Sequence, residues 1–221
     1  MHEVINWSND VARAQLEGSR KGKPLLLSFT SPDCSFSQRM EAVSYAQPDA
    51  NRLLQAGLIP VRITPENPFP FKTYSVKATP HHLMTGEGGF ELRSFTGFMD
   101  GPELLAFLLL GIAKHWFDKG RFQKALEAVD ELIRKTPRAE TLPEALFLRG
   151  FFLYKMTSDH RRLKNAFHEL ESSFPGNDWT KTARMVALFH YAASVWEWSQ
   201  KKGNINKARF GVILHSPQEM Q

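Results

Sequence analysis

A chain of 221 residues is too long for one small domain and suits two modest ones, each large enough for a core of its own. Hydrophobic residues make up 42% and charged residues 23%, an ordinary globular balance, and the most apolar stretch, Leu104 to Ile112, is far too short to span a membrane. The net charge of +5 comes from 28 Lys and Arg interleaved with 23 Asp and Glu, so the clusters Arg161-Arg162-Lys164 and Lys201-Lys202 read as solvated helix faces and nucleic acid ranks last among partners.

The polar start Ser8-Asn9-Asp10 and the spacing of Val11, Ala14 and Leu16 predict a helix over Asn9 to Gly18, broken at Gly22-Lys23-Pro24. Leu25 to Thr30 is a nearly continuous apolar run that fits a strand buried on both faces. Ser31-Pro32-Asp33 is turn chemistry, and a helix bent near Pro48 follows from Cys34 to Leu54. Leu58 to Ile63 is a second strand, Thr64 to Phe71 a proline-rich loop, and Gly86 to Gly89 a turn. Phe90 to Phe95 alternates like a hairpin strand, and Pro102 to His115 is helical. Strands separated by helices, then a late hairpin, imply a mixed sheet covered by helices.

Past residue 111 the strand signals stop. Phe122 to Lys135 is amphipathic, Pro143 to Met156 and Leu163 to Phe174 repeat the pattern, and a last helix is expected from Thr182 to Trp198. A helix–turn–helix unit recurring at roughly 34 residues marks a helical solenoid. Trp116, Phe151, Phe152, Tyr154, Trp179, Trp196 and Trp198 are expected mostly in the core, a few lining a groove.

Lys23 to Phe29, Ser31 to Glu41, Val61-Arg62-Ile63, Tyr74 to Pro80, Gly89 to Leu92 and Phe95 to Phe98 stand in one order with particular gaps. By these residues the first half resembles a thioredoxin-like domain, in the branch of spermatogenesis-associated and DUF255-type thioredoxins. The second half resembles tetratricopeptide repeats, through Gly120-Arg121-Phe122, Ala125-Leu126 and Pro137, then Ala145, Gly150, Tyr154, Ala166 and Phe174-Pro175-Gly176-Asn177. Together these imply an α/β thioredoxin-like fold at 1–110, a mixed sheet flanked by helices, followed by an all-α tetratricopeptide-like domain at 111–215.

The resemblance assigns the chemistry to Cys34-Ser35-Phe36-Ser37, where thioredoxins carry Cys-x-x-Cys at a helix start that favours the thiolate. The attacking position is Cys34. The resolving position is Ser37, which forms no disulfide but is able to donate a hydrogen bond to the thiolate. Ser28 stands where many thioredoxins keep a buried Asp, and Asp33 replaces the Trp before the first Cys, both unfavourable to a housekeeping reductase. Thr79-Pro80 fits the family's cis-proline loop, which faces the motif. Of His81 and His82 at most one faces Cys34, since strand neighbours point to opposite sides.

With one Cys there is no internal disulfide and no Cys-rich zinc site, so redox chemistry at Cys34 needs a thiol from another molecule. A metal site built from Cys34, His81 and Asp33 is an outside reading, and no cofactor is expected. The leading expectation is a monothiol protein forming mixed disulfides with protein or peptide partners chosen by the helical repeats. The alternative is a non-enzymatic adaptor, its thioredoxin half a scaffold. The N-terminus lacks a basic stretch leading into an apolar one, which favours the cytoplasm.

Overall fold

A computed structural model describes residues 5–189. Along the chain lie α1 (Val11–Lys21), β1 (Leu25–Phe29), α2 (Ser35–Arg39), α3 (Pro48–Ala56), β2 (Ile59–Ile63), α4 (Pro68–Thr73), β3 (His81–Thr85), β4 (Glu91–Thr96), α5 (Gly101–Asp118), α6 (Phe122–Lys135), α7 (Leu142–Thr157) and α8 (Arg161–Ser173). A further helix begins at 178 and is described as far as 189. Trp196, Trp198 and Lys201-Lys202 lie outside the described residues.

The four strands form one mixed sheet in the order β2-β1-β3-β4. β1 runs parallel to β2, with Leu27 opposite Val61, and antiparallel to β3, with Ser28 opposite His82. β3 and β4 are an antiparallel hairpin. The N-terminal segment partly covers the outer edge of β2: Ser8 N–H donates to the Pro60 carbonyl at 2.9 Å and Arg62 N–H to the Ser8 carbonyl at 2.8 Å.

β1 is buried at all five residues, as a near-continuous apolar run at the centre of a covered sheet requires. Its alternation divides two cores. Leu25, Leu27 and Phe29 join Ile59, Val61, Ile63 and Leu83 against Ala14, Val11, Phe71 and Tyr74, on the side of α1 and α4. Leu26 joins Met40, Leu54, Met84 and most of α5 on the other.

α5 is apolar around nearly its whole circumference, and such a helix is stable only when surrounded. It is buried without a break from Leu104 to Ala113, with the sheet on one side and α6 and α7 beyond. The boundary expected at 110/111 therefore falls inside α5, and a single apolar cluster runs from Leu26 through Leu108 to Val129 and Phe152. Polar contacts reinforce the join: Lys135 pairs with Asp49 of α3 at 2.8 Å, and His115 Nε2 lies 3.0 Å from the Gly22 carbonyl.

Close approach of α5 to the sheet depends on Gly111. A Cβ built there would lie 2.2 Å from Met84 Sδ, and Met84 is fully buried. Gly111→Ala gains helix propensity, about 0.5–1 kcal/mol. Overpacking costs more, about 1–3 kcal/mol, so thermal denaturation is expected to show a net loss of several degrees.

Two details depart from the sequence reading. The stretch read as a proline-rich loop contains the short helix α4, with Pro68 at its first position, where a missing N–H costs nothing. The helical units also recur more widely than the expected ~34 residues: α5 and α7 begin at Gly101 and Leu142, α6 and α8 at Phe122 and Arg161. They form two packed hairpins, closed where Gly150 of α7 meets Ala166 of α8.

Candidate functional site

Cys34 sits at the junction of the β1 turn and α2, in the N-cap position of that helix with extended backbone. The turn leading to it is tied by local bonds: Cys34 N–H donates to the Ser31 carbonyl at 3.1 Å and Gln38 Nε2 to the Pro32 carbonyl at 2.7 Å. Ser37 points inward, only 3% exposed, and its Oγ accepts a bond from Ser31 N–H at 3.3 Å. With that lone pair occupied by the turn, the Ser37 hydroxyl proton is free for the sulfur of Cys34.

The electrostatics follow from these neighbours. The partly exposed Cys34 thiol is held below its ordinary pKa, first by hydrogen bonding from the Ser37 side chain. Burial opposes the shift, and the backbone of Ser37, the side chain of Thr79 and the backbone of Phe36 add to it. Phe36, the residue between, turns outward and is 54% exposed.

The opposite wall is Thr79-Pro80. Their peptide bond is cis, and the Thr79 carbonyl lies 3.1 Å from Cys34 Sγ, where it accepts from the thiol. That contact exists only while sulfur keeps its proton, so it favours the thiol and works against Ser37. Cys34, Ser37, Thr79 and Pro80 thus come together as one cluster. The histidines do not join it. His81 is half-buried, with Nδ1 2.7 Å from Thr96 Oγ1, and His82 is fully buried against Tyr45 and Phe107. Among the described residues no three His, Cys, Asp or Glu side chains are placed to hold a metal ion.

One feature near the site is absent from the sequence reading. Ser28 Oγ, Tyr45 Oη and His82 Nε2 form a buried chain with steps of 2.8 and 2.9 Å. Burial lowers the His82 pKa to about 3 and, as the first cause, raises that of Tyr45. A serine inside the apolar run of β1 was the available signal, because a buried hydroxyl needs a partner. Nothing in the sequence points to Tyr45, which follows a π-helical turn at Met40–Ser44.

Residues 12–111 match the profile of the thioredoxin-like domain family, and the mixed sheet with its flanking helices has the thioredoxin-type fold. Among solved structures the chain is similar to a thioredoxin from Thermus thermophilus, 21% identical, covering 51% of this chain and 91% of that one with a TM-score of 0.46. It is also similar to a thioredoxin-fold protein from Helicobacter pylori (16% identical, 52% and 86% covered, TM-score 0.40). A third is the oxidised C-terminal domain of DsbD from Neisseria meningitidis (18% identical, 52% and 99% covered, TM-score 0.38). No curated protein matches the chain significantly.

Proposed function

We propose that the protein is a monothiol thioredoxin-like protein whose Cys34 forms mixed disulfides with partner proteins, the helical hairpins contributing to the choice of partner. The observation that carries this reading is Ser37: buried, fixed by Ser31 N–H, and the first cause of the lowered Cys34 pKa. A serine there keeps the thiolate-stabilising half of the Cys-x-x-Cys arrangement and gives up the resolving half.

The reaction is one thiol–disulfide exchange. The Cys34 thiolate attacks one sulfur of a partner disulfide, a Cys34–partner S–S bond forms, and the second partner sulfur leaves as thiolate. Ser37 has no sulfur with which to reverse the step, so release needs an external thiol that attacks the mixed disulfide. A reducing compartment supplies one, and the cytoplasm is where we place the protein. The likeness to the DUF255-type branch and to tetratricopeptide units belongs to this same reading; the two hairpins are then divergent units that dock a protein.

Incubation with oxidised glutathione or disulfide-intact insulin, followed by intact mass measurement, tests it. A single adduct at Cys34, removed by dithiothreitol and missing in Cys34→Ser, is the expected result. A chain that stays unmodified at pH 8 after hours in excess disulfide contradicts it. Ser37→Ala is expected to raise the midpoint of Cys34 alkylation and to slow alkylation at pH 7 by up to about tenfold. The pH–rate curve of the variant against wild type measures this.

A further inference from the structure

The two walls of the Cys34 site are tied to each other behind the sulfur by one segment, Gly97 to Asp100, which also starts α5. On one side Gly97 N–H donates to the Pro80 carbonyl at 2.8 Å, next to the Thr79 carbonyl that touches Cys34 Sγ. On the other side three contacts bind the segment to the helix that Cys34 begins. The Arg39 guanidinium lies 4.1 Å over the Phe98 ring, Met99 N–H approaches Met40 Sδ at 3.4 Å, and Ser44 Oγ donates to the Met99 carbonyl. Met40 and Ser44 are fully buried and Met99 nearly so, leaving the segment little room to move alone.

From there the ties continue into the helical half. Asp100 caps α5 by accepting Glu103 N–H at 2.9 Å. Glu103 in the first turn of α5 accepts Glu140 N–H, in the α6–α7 connection, at 2.9 Å. Every step from Cys34 to Glu140 is thus a hydrogen bond, a ring contact or a single residue of chain.

The first step depends on the state of the sulfur. A thiol donates to the Thr79 carbonyl. A thiolate has no proton to give and meets the carbonyl lone pairs, and a disulfide sulfur does the same with added bulk. The two states of Cys34 therefore hold the Thr79-Pro80 wall with different free energies, the requirement for any shift of conformation.

We propose that Gly97–Asp100 is a strap that passes the state of Cys34 to the α6–α7 corner, with Arg39 and Ser44 as positioning residues that hold it. It rests on the reading of Cys34 as a thiol that changes state in use. By reciprocity, a change imposed at the α6–α7 corner shifts the Cys34 thiol–thiolate balance by the same factor.

Residue-resolved amide exchange on the full chain, compared between the free thiol and the chain fully capped at Cys34 with iodoacetamide, tests the strap. Capping in excess reagent forces the change of state, so the result does not depend on Cys34 attacking disulfides by itself; adduct formation with oxidised glutathione tests that separately. The amides of Gly97 and Glu140 are expected to exchange about fivefold faster or more on capping, with those of α8 unchanged. Ser44→Ala is expected to accelerate Gly97 without any cap, and Glu103→Gln to keep the Gly97 response while weakening the one at Glu140. Gly97 and Glu140 amides that exchange alike in both forms overturn the proposal, as does a response that stops at Gly97 in the wild-type chain.

Discussion

Ser37→Cys is expected to convert a stoichiometric thiol into a catalytic one. In the wild-type chain a mixed disulfide at Cys34 waits for an outside thiol. A cysteine at position 37 is three residues away on the same helix start and attacks that disulfide from within the molecule. Intramolecular thiol attack replaces a bimolecular step, so reduction of insulin by dithiothreitol in the presence of the variant is expected to run about tenfold faster or more than with wild type. Cys34→Ser in the Ser37→Cys background is expected to abolish the gain. The interior position of Ser37 favours the outcome, since its side chain is already directed at the site. A variant whose mass shows an internal disulfide yet which does not reduce insulin contradicts the reading of the Thr79-Pro80 wall as a place where protein disulfides are accepted.

Acidification is expected to destabilise the protein through His82. Its imidazole is fully buried, with Nε2 bonded to Tyr45, Nδ1 without a partner among the described residues and the Phe107 ring beside it. Burial is the first cause that lowers its pKa to about 3, and the neighbouring His81 adds to it. The unfolded chain takes up a proton near the ordinary pKa of about 6.5, whereas the folded chain resists until about 3. Stability is therefore fully present above pH 6.5 and declines as pH falls from there toward 3, by at most about 1.4 kcal/mol per pH unit. Over the whole window the ceiling is about 5 kcal/mol, a large share of a typical domain's stability. Urea midpoints at pH 7.5, 6 and 4.5 measure the slope. His82→Gln keeps a polar partner for Tyr45 without a titrating ring, and is expected to flatten the curve in this window. An equal slope in both proteins removes His82 as its cause.

The sequence carried the architecture where one residue pattern admits one structure. Five consecutive residues from Leu25 to Phe29 with a single serine fit a strand covered on both faces, and the strand is there. The apolar run in α5 was equally plain, but its consequence was not: a helix apolar on all sides must be wrapped, so the sheet and the helical hairpins share it and the core has no break at 110. α4 was hidden because Pro68 and Pro70 read as loop punctuation, although proline suits the first turn of a helix. The repeat spacing came from short Gly and Pro signals, which mark helix ends and leave connection lengths open.

The candidate site was legible in outline. Cys34, Ser37, Thr79 and Pro80 were marked by resemblance, and the structure brings the four together. The rest depends on long-range geometry. That the Thr79 carbonyl opposes Ser37 at the sulfur of Cys34, 45 residues away along the chain, is set by how β3 lies beside β1. His82 is adjacent to His81, yet the pleat sends one to the core and the other toward Thr96. Which of them faced inward needed the strand register, with His82 opposite Ser28.

The most direct test of the account is the pH dependence of Cys34 alkylation by iodoacetamide in the wild-type chain, with Ser37→Ala beside it. The account predicts a midpoint below that of an ordinary cysteine, about 8.5, and a rise when the Ser37 hydroxyl is removed. A midpoint at or above the ordinary value, indifferent to Ser37, would contradict it and leave the thioredoxin-like half as a scaffold for what the helical hairpins bind.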